Sequence, residues 1–118
     1  MPLPAQILIA LVALLHLYFL VLEMFLWDKP LGLKTFRHSP EKAAASKVLA
    51  ANQGLYNGFL AAGLVWSLIL GNEGRSIALF FLHCVLIAGV FGAATVSKRI
   101  LYVQALPAVI GIALVLFT

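Results

Sequence analysis

Residues 3–27 read LPAQILIALVALLHLYFLVLEMFLW, an almost unbroken apolar run with few polar side chains. The run exceeds the roughly 20 residues that a helix needs to cross the hydrocarbon core of a membrane. Three more runs of this kind follow at residues 43–70, 76–97 and 101–118. Together the four runs take up most of the chain, and only short polar connectors separate them.

The composition excludes an ordinary soluble domain. Of the 118 residues, 64% are hydrophobic and 10% are charged, whereas a soluble domain is about half apolar and a quarter charged. Backbone amides in lipid must be bonded within the span, and barrel strands would need short alternating segments of about 10 residues. The sequence therefore predicts an all-α fold, an integral membrane four-helix bundle, as a single domain over residues 1–118.

The basic residues are confined to connectors. Seven of the eight lie in or beside residues 28–42 and 98–99, and excess Lys and Arg stay on the cytoplasmic side. We therefore expect these two connectors to be cytoplasmic and both termini to be extracytoplasmic. The net charge is +4, but the basic residues are not spread over one face of the protein. No nucleic-acid partner is therefore expected. An alternative role for the first connector is binding anionic lipid headgroups.

Local signals place several helix ends and contacts. Ser39-Pro40-Glu41 resembles an N-cap followed by proline at the first helical position, and residues 71–74, Gly-Asn-Glu-Gly, favour a turn. Gly54 and Gly58 have the spacing of a close helix–helix contact. Pro107 lies inside the fourth run and predicts a kink.

Polar side chains within the apolar runs are the candidate functional residues, because ionisable groups in a membrane are expensive and usually functional. His16 and Glu23 are seven residues apart, which places them about 20° apart around one helix and about 10 Å apart along it. Trp27 continues the same stripe by another turn, at the cytoplasmic boundary, where an indole ring is favoured. We predict catalytic roles for His16, Glu23 and His83, and ligand-binding roles for Trp27, Asn52, Gln53, Tyr56, Asn57 and Gln104.

Each of these assignments has a structural alternative. Glu23 would be structural if it paired with Lys47 or extended toward the membrane interface. Independently, the Asn and Gln amides would be hydrogen-bonding links between helices, and His16 or His83 alone would be a hydrogen-bonded core histidine. Two histidines and a carboxylate are a known iron-binding set, but the rise between His16 and Glu23 argues against a shared ion. We therefore predict no metal site, and the sequence identifies no cofactor.

Two motifs carry a resemblance to a known family. They are His16…Glu23-Met24…Trp27 and the polar run Asn52-Gln53-Gly54-Leu55-Tyr56-Asn57-Gly58-Phe59-Leu60. With these motifs the whole chain resembles the bacterial membrane proteins of domain of unknown function family 1304. The resemblance implies a four-helix protein of the bacterial inner membrane and carries over no activity. The size and helix count of the chain are also similar to those of small multidrug-resistance transporters. This likeness is an analogy and not a second family resemblance.

Three functions remain open at this point. The first is a pocket where the His, Glu and Asn side chains bind or transform a lipophilic small molecule by proton transfer. The second is a proton-coupled small-molecule transporter, which would act as a homodimer because four helices enclose little volume. The third is a structural or interaction subunit. In every case membrane lipid is an expected partner.

Overall fold

A computed structural model describes all 118 residues of the chain. It contains five α-helices and no strand: α1 Leu3–Met24, α2 Pro30–Phe36, α3 Pro40–Leu70, α4 Arg75–Thr95 and α5 Leu106–Phe117. A 3-10 turn, Gly71–Gly74, joins α3 to α4, and a π-helical turn, Leu101–Ala105, precedes α5. The all-α prediction is confirmed.

The chain divides into two compact units. α1 and α3 each contribute residues to both units. One unit comprises Met1–Leu14 and Leu60–Thr118, and the other is Leu15–Phe59. The first unit has an apolar core, formed by Ala5, Ile9, Val12, Ala13, Leu64, Ala78, Leu82, Val85, Ala108 and Val115. The second unit contains the polar pair described below.

Pro107 is accommodated by a π-helical turn in the first unit. Proline has no N–H, and its ring collides with the carbonyl one turn earlier in a regular helix. The Leu106 N–H accordingly donates to the Leu101 carbonyl, five residues back. This turn packs closely on α4, since a Cβ on Gly89 would lie 2.7 Å from the Ala105 backbone nitrogen. The irregularity expected at Pro107 therefore lies in the residues just before it.

The connection after α1 differs from the prediction. The helix ends at Met24 and not at Trp27, and α2 occupies part of the expected connector. The start of α3 is as predicted: it begins at Pro40, and the backbone N–H of Lys42 donates to the hydroxyl of Ser39 at 3.1 Å. This bond satisfies one of the free amides at the helix N-terminus.

Two helical stretches are long and apolar enough to cross a membrane. They are Leu3–Met24, with a mean hydropathy of 2.5, and Pro40–Thr95, with a mean hydropathy of 2.4, in which the 3-10 turn separates α3 from α4. Only 33% and 22% of their most apolar windows are buried inside the protein. Leu101–Phe117 is a shorter apolar helix. Most of the apolar helix surface therefore faces outward.

Candidate functional site

A carboxyl on α1 and an amide on α3 form the most buried polar pair of the unit Leu15–Phe59. Glu23 is 3% exposed, and its Oε1 accepts a hydrogen bond of 2.5 Å from Nδ2 of the half-buried Asn57. An amide partners both forms of a carboxyl, because its NH₂ donates to a carboxylate and its carbonyl accepts from a carboxylic acid. The pair is thus chemically able to persist whether or not Glu23 holds a proton.

Two glycines let α3 approach α1 closely at this pair. A Cβ on Gly54 would lie 2.6 Å from Cγ of Met24 and 3.2 Å from Cβ of Glu23. One turn later, a Cβ on Gly58 would lie 2.8 Å from Cδ1 of Leu20. The packing role predicted for Gly54 and Gly58 is confirmed, and the surface they contact is the Leu20–Met24 turn of α1.

His16 lies on the same buried face of α1 as Glu23. It is fully buried, and its ring meets the edge of Phe19 with the centroids 5.4 Å apart. The predicted inward direction of both side chains is therefore confirmed. Their rise of about 10 Å along the helix is too long for a direct hydrogen bond, so His16 and Glu23 form two separate polar positions.

The predicted partner of Glu23 is engaged elsewhere. Nζ of Lys47 lies 3.0 Å from Oδ2 of Asp28, a residue of the turn after α1. The alternative that Glu23 pairs with Lys47 is therefore wrong. The reason is the early end of α1, which leaves Asp28 in the turn facing Lys47. Glu23 has a neutral amide as its bonded partner instead of a cation.

The Asp28–Lys47 ion pair predicts a dependence of stability on pH. The hydrogen bond from Lys47 holds the pKa of Asp28 below its ordinary value of 3.8. A carboxyl with a lowered pKa stabilises the folded state fully above its unfolded pKa, and that contribution is lost as the pH falls through the folded pKa. Unfolding at about pH 6 and about pH 3 should therefore show a smaller acid-induced loss in Lys47→Met than in wild type.

Lys42→Met is the matched control for this prediction, because Lys42 is exposed and makes no ion pair. It should lose as much stability on acidification as the wild type. Equal acid-induced losses in Lys47→Met and Lys42→Met would contradict the assignment of this pH dependence to Asp28.

Trp27 belongs to an aromatic cluster and not to the helical stripe predicted for it. Because α1 ends at Met24, the periodicity of the helix no longer places this residue. Its indole N–H donates to the Ser46 hydroxyl at 3.1 Å, and its ring lies 4.7 Å from Phe36 and 4.4 Å from His38 between centroids. Nε2 of His38 lies 3.2 Å from the Trp27 carbonyl oxygen. The contacts of this cluster hold α2 against the start of α3.

Three predicted ligand-binding residues lie on the outer face of α3. Asn52, Gln53 and Tyr56 are exposed, whereas Ala50 and Gly54 on the opposite side are buried. The Asn52 amide donates to the Val48 carbonyl of its own helix at 2.9 Å. The structure therefore places these three side chains away from the Glu23–Asn57 pair.

The remaining two predicted residues belong to the other unit. His83 is exposed on α4, and its Nδ1 lies 2.6 Å from the Leu79 carbonyl oxygen of the same helix. Gln104 is half-buried in the π-helical turn. Their predicted roles therefore rest on sequence alone.

Sequence reasoning missed Asp28, Ser46 and His38, which surround the end of α1 and the start of α3. The sequence did contain a signal for Asp28, because a carboxylate next to a proline-containing turn and near several lysines is a natural ion-pair partner. No group of three His, Cys, Asp or Glu side chains has an arrangement that would hold a metal ion.

Comparison with known proteins identifies the class of this helical protein. The model of the family described as "Protein of unknown function (DUF1304)" matches residues 10–116. The chain belongs to this family. It is similar to the "Uncharacterized protein YpaA" of Lactococcus lactis subsp. lactis (strain IL1403), at 30% identity over 100 residues, 83% of this chain and 84% of that protein. No solved structure matches the chain.

Proposed function

We propose that this chain is a four-span integral membrane protein that binds a lipophilic small molecule next to Glu23 and Asn57, with Glu23 exchanging a proton during binding or turnover. The observation that carries the proposal is a buried carboxyl within an apolar helix whose hydrogen-bond partner is a neutral amide. Ionisable groups at such positions commonly mark substrate or proton pathways.

The distribution of apolar surface supports membrane insertion. Side chains such as Ile69, Phe91 and Phe117 are 77%, 69% and 83% exposed. In water, an apolar surface that extends over whole helices would drive aggregation. The core helix of a soluble protein is mostly buried, whereas the apolar windows here are mostly exposed. Lipid is the solvent that suits this surface.

The charge distribution supports the orientation. Residues 28–42 and 98–99, with neighbouring Lys47, contain seven of the eight basic residues, so these connectors would be cytoplasmic. Spans at α1, α3, α4 and the Leu101–Phe117 helix would then leave both termini on the extracytoplasmic face. This arrangement fits a multi-pass protein of the bacterial inner membrane.

The partners of Glu23 favour proton exchange over a fixed structural charge. A buried carboxylate needs a cation or several donors. The nearest candidate on α3, Lys47, is paired with Asp28, and the single bonded partner of Glu23 is an amide. A carboxyl in this setting is well suited to gain and lose a proton as a ligand arrives or leaves.

The neighbourhood of the pair suits a lipophilic ligand. Met24 lies over Gly54, and a methionine side chain is flexible enough to move for an incoming apolar group. Towards His16, the same face of α1 carries Phe19 and Leu20. A ligand with an apolar body and one polar group would place that group at Glu23 and Asn57, with His16 as the next polar position along α1.

Mass spectrometry of small molecules that co-purify with the protein tests the proposal. We expect a lipophilic compound bound to the wild-type protein and at least about tenfold less of it in Glu23→Gln, because the proton-exchanging group is lost. Glu73→Gln is the matched control, since it makes the same chemical change at an exposed residue of the 3-10 turn. Equal amounts of the same compounds in all three proteins would overturn the proposal.

A further inference from the structure

The outer face of α3 carries polar side chains that the Glu23–Asn57 pair does not use. We call Asn52, Gln53 and Tyr56 the outer polar face. It lies among exposed apolar residues, with Leu49 at 75% and Phe59 at 55% exposure. We propose that a second copy of this chain covers the outer polar face, so that the protein is a symmetric dimer along α3.

Several hydrogen-bonding groups of the outer polar face have no partner within the chain. The Asn52 NH₂ bonds the Val48 carbonyl of its own helix, which leaves its amide oxygen available. The Gln53 amide and the Tyr56 hydroxyl form no hydrogen bond in the chain; Tyr56 only meets the ring of Phe59, at 5.9 Å between centroids. These are strong donors and acceptors, and each requires a partner when water is absent.

The outer polar face lies too deep in the proposed membrane for water to be that partner. Gln53 lies six residues beyond Lys47, the last basic residue of α3, which is a rise of about 9 Å along the helix. In the proposed membrane orientation this position is inside the hydrocarbon, where an unsatisfied amide costs several kcal/mol. Asparagine and glutamine are also too short to reach the headgroups from this depth.

A second copy supplies the matching chemistry. Two copies inserted in the same orientation are related by a two-fold axis along the membrane normal, so each residue meets its equivalent at the same depth. An amide is both donor and acceptor, and Gln53 can therefore pair with Gln53 or Asn52 of the second copy. Leu49 and Phe59 would pack around these bonds. The face is thus complementary to itself.

Cysteine cross-linking in native membranes tests the proposal directly. In a Cys84→Ser background, Gln53→Cys should form an intermolecular disulfide on mild oxidation. Val21→Cys is the matched control, because Val21 is also exposed but lies on α1, in the Leu20–Met24 turn that packs on Gly54, and not on the outer polar face. Efficient cross-linking at both positions, or at neither, would overturn the proposal.

The oligomeric state in lipid nanodiscs provides an independent measurement. The wild-type protein should be a dimer, and the variant Asn52→Leu/Gln53→Leu should raise the dimer dissociation constant at least about tenfold, because its interhelical hydrogen bonds are lost. A monomeric wild type, or an unchanged dissociation constant, would contradict the second copy as occupant. The proposal depends on the membrane insertion proposed above but not on the ligand, so Glu23→Gln should remain a dimer.

Discussion

Gly32→Ala is expected to lower the free energy of unfolding by about 3 kcal/mol, the upper range for overpacking a buried position. A Cβ on Gly32 would lie 1.9 Å from the Leu26 carbonyl oxygen and 2.8 Å from the Trp27 carbonyl oxygen. Both are backbone atoms, so the turn itself must move. The displacement would separate Phe36 of α2 from the Trp27 ring and disturb the link between α1 and α3.

Tryptophan fluorescence measures this effect specifically. The chain has two tryptophans, and in a Trp66→Phe background the emission reports Trp27 alone. Gly32→Ala should shift this emission and lower the unfolding free energy together. Gly92→Ala is the matched control, because its Cβ would meet only the Ile100 side chain, 3.1 Å away. Wild-type stability and emission in Gly32→Ala would show that the turn does not pack as described.

Asn57→Leu is expected to cost about 2–3 kcal/mol of unfolding free energy, because it leaves the buried Glu23 carboxyl without its bonded partner. The double variant Glu23→Leu/Asn57→Leu should recover much of this loss, since it removes both polar groups together. Denaturant unfolding in a fixed detergent measures the four proteins of the cycle.

The control for this cycle is an amide outside the pair. Gln6→Leu removes an exposed side chain that bonds the Met1 carbonyl, and a change of less than about 0.5 kcal/mol is expected. If the effects of Glu23→Leu and Asn57→Leu simply add, the two side chains do not act as a unit, and the pair loses its proposed role.

Features set by local sequence were predictable. Proline at a first helical position and serine before it specify the start of α3, and the glycine-rich residues 71–74 specify the 3-10 turn. The contact at Gly54 and Gly58 follows from their spacing. Helical periodicity likewise placed His16 and Glu23 on one buried face, because both lie within the regular part of α1.

Features that depend on where the chain bends were not predictable in the same way. Trp27 lies three residues beyond Met24, the last helical residue of α1, and this shift is enough to move Trp27 into an aromatic cluster. The same turn presents Asp28 to Lys47 and so removes the expected partner of Glu23. These pairings arise from tertiary contacts around α2, a short helix for which the proline alone gave no clear signal.

The outer polar face shows a different limit of sequence reasoning. Asn52 and Asn57 share a short motif but lie about 140° apart around a helix, so only one of them can face α1. Composition indicates that such amides need partners, but the choice of inner residue depends on which side of α3 is buried, the side of Ala50 and Gly54, where Gly54 packs on α1. The roles of His83 and Gln104 stay predictions.

Infrared spectroscopy of the protein in lipid bilayers, recorded during a pH titration, tests proton exchange at Glu23 most directly. The chain has only four acidic residues, so each carboxyl signal can be assigned by substitution. We predict a carboxylic acid signal in the wild type that changes with pH, disappears in Glu23→Gln, persists in Glu73→Gln, and shifts in Asn57→Leu because its hydrogen bond is lost. Identical titration spectra for the wild type and Glu23→Gln would contradict the proposed role of Glu23.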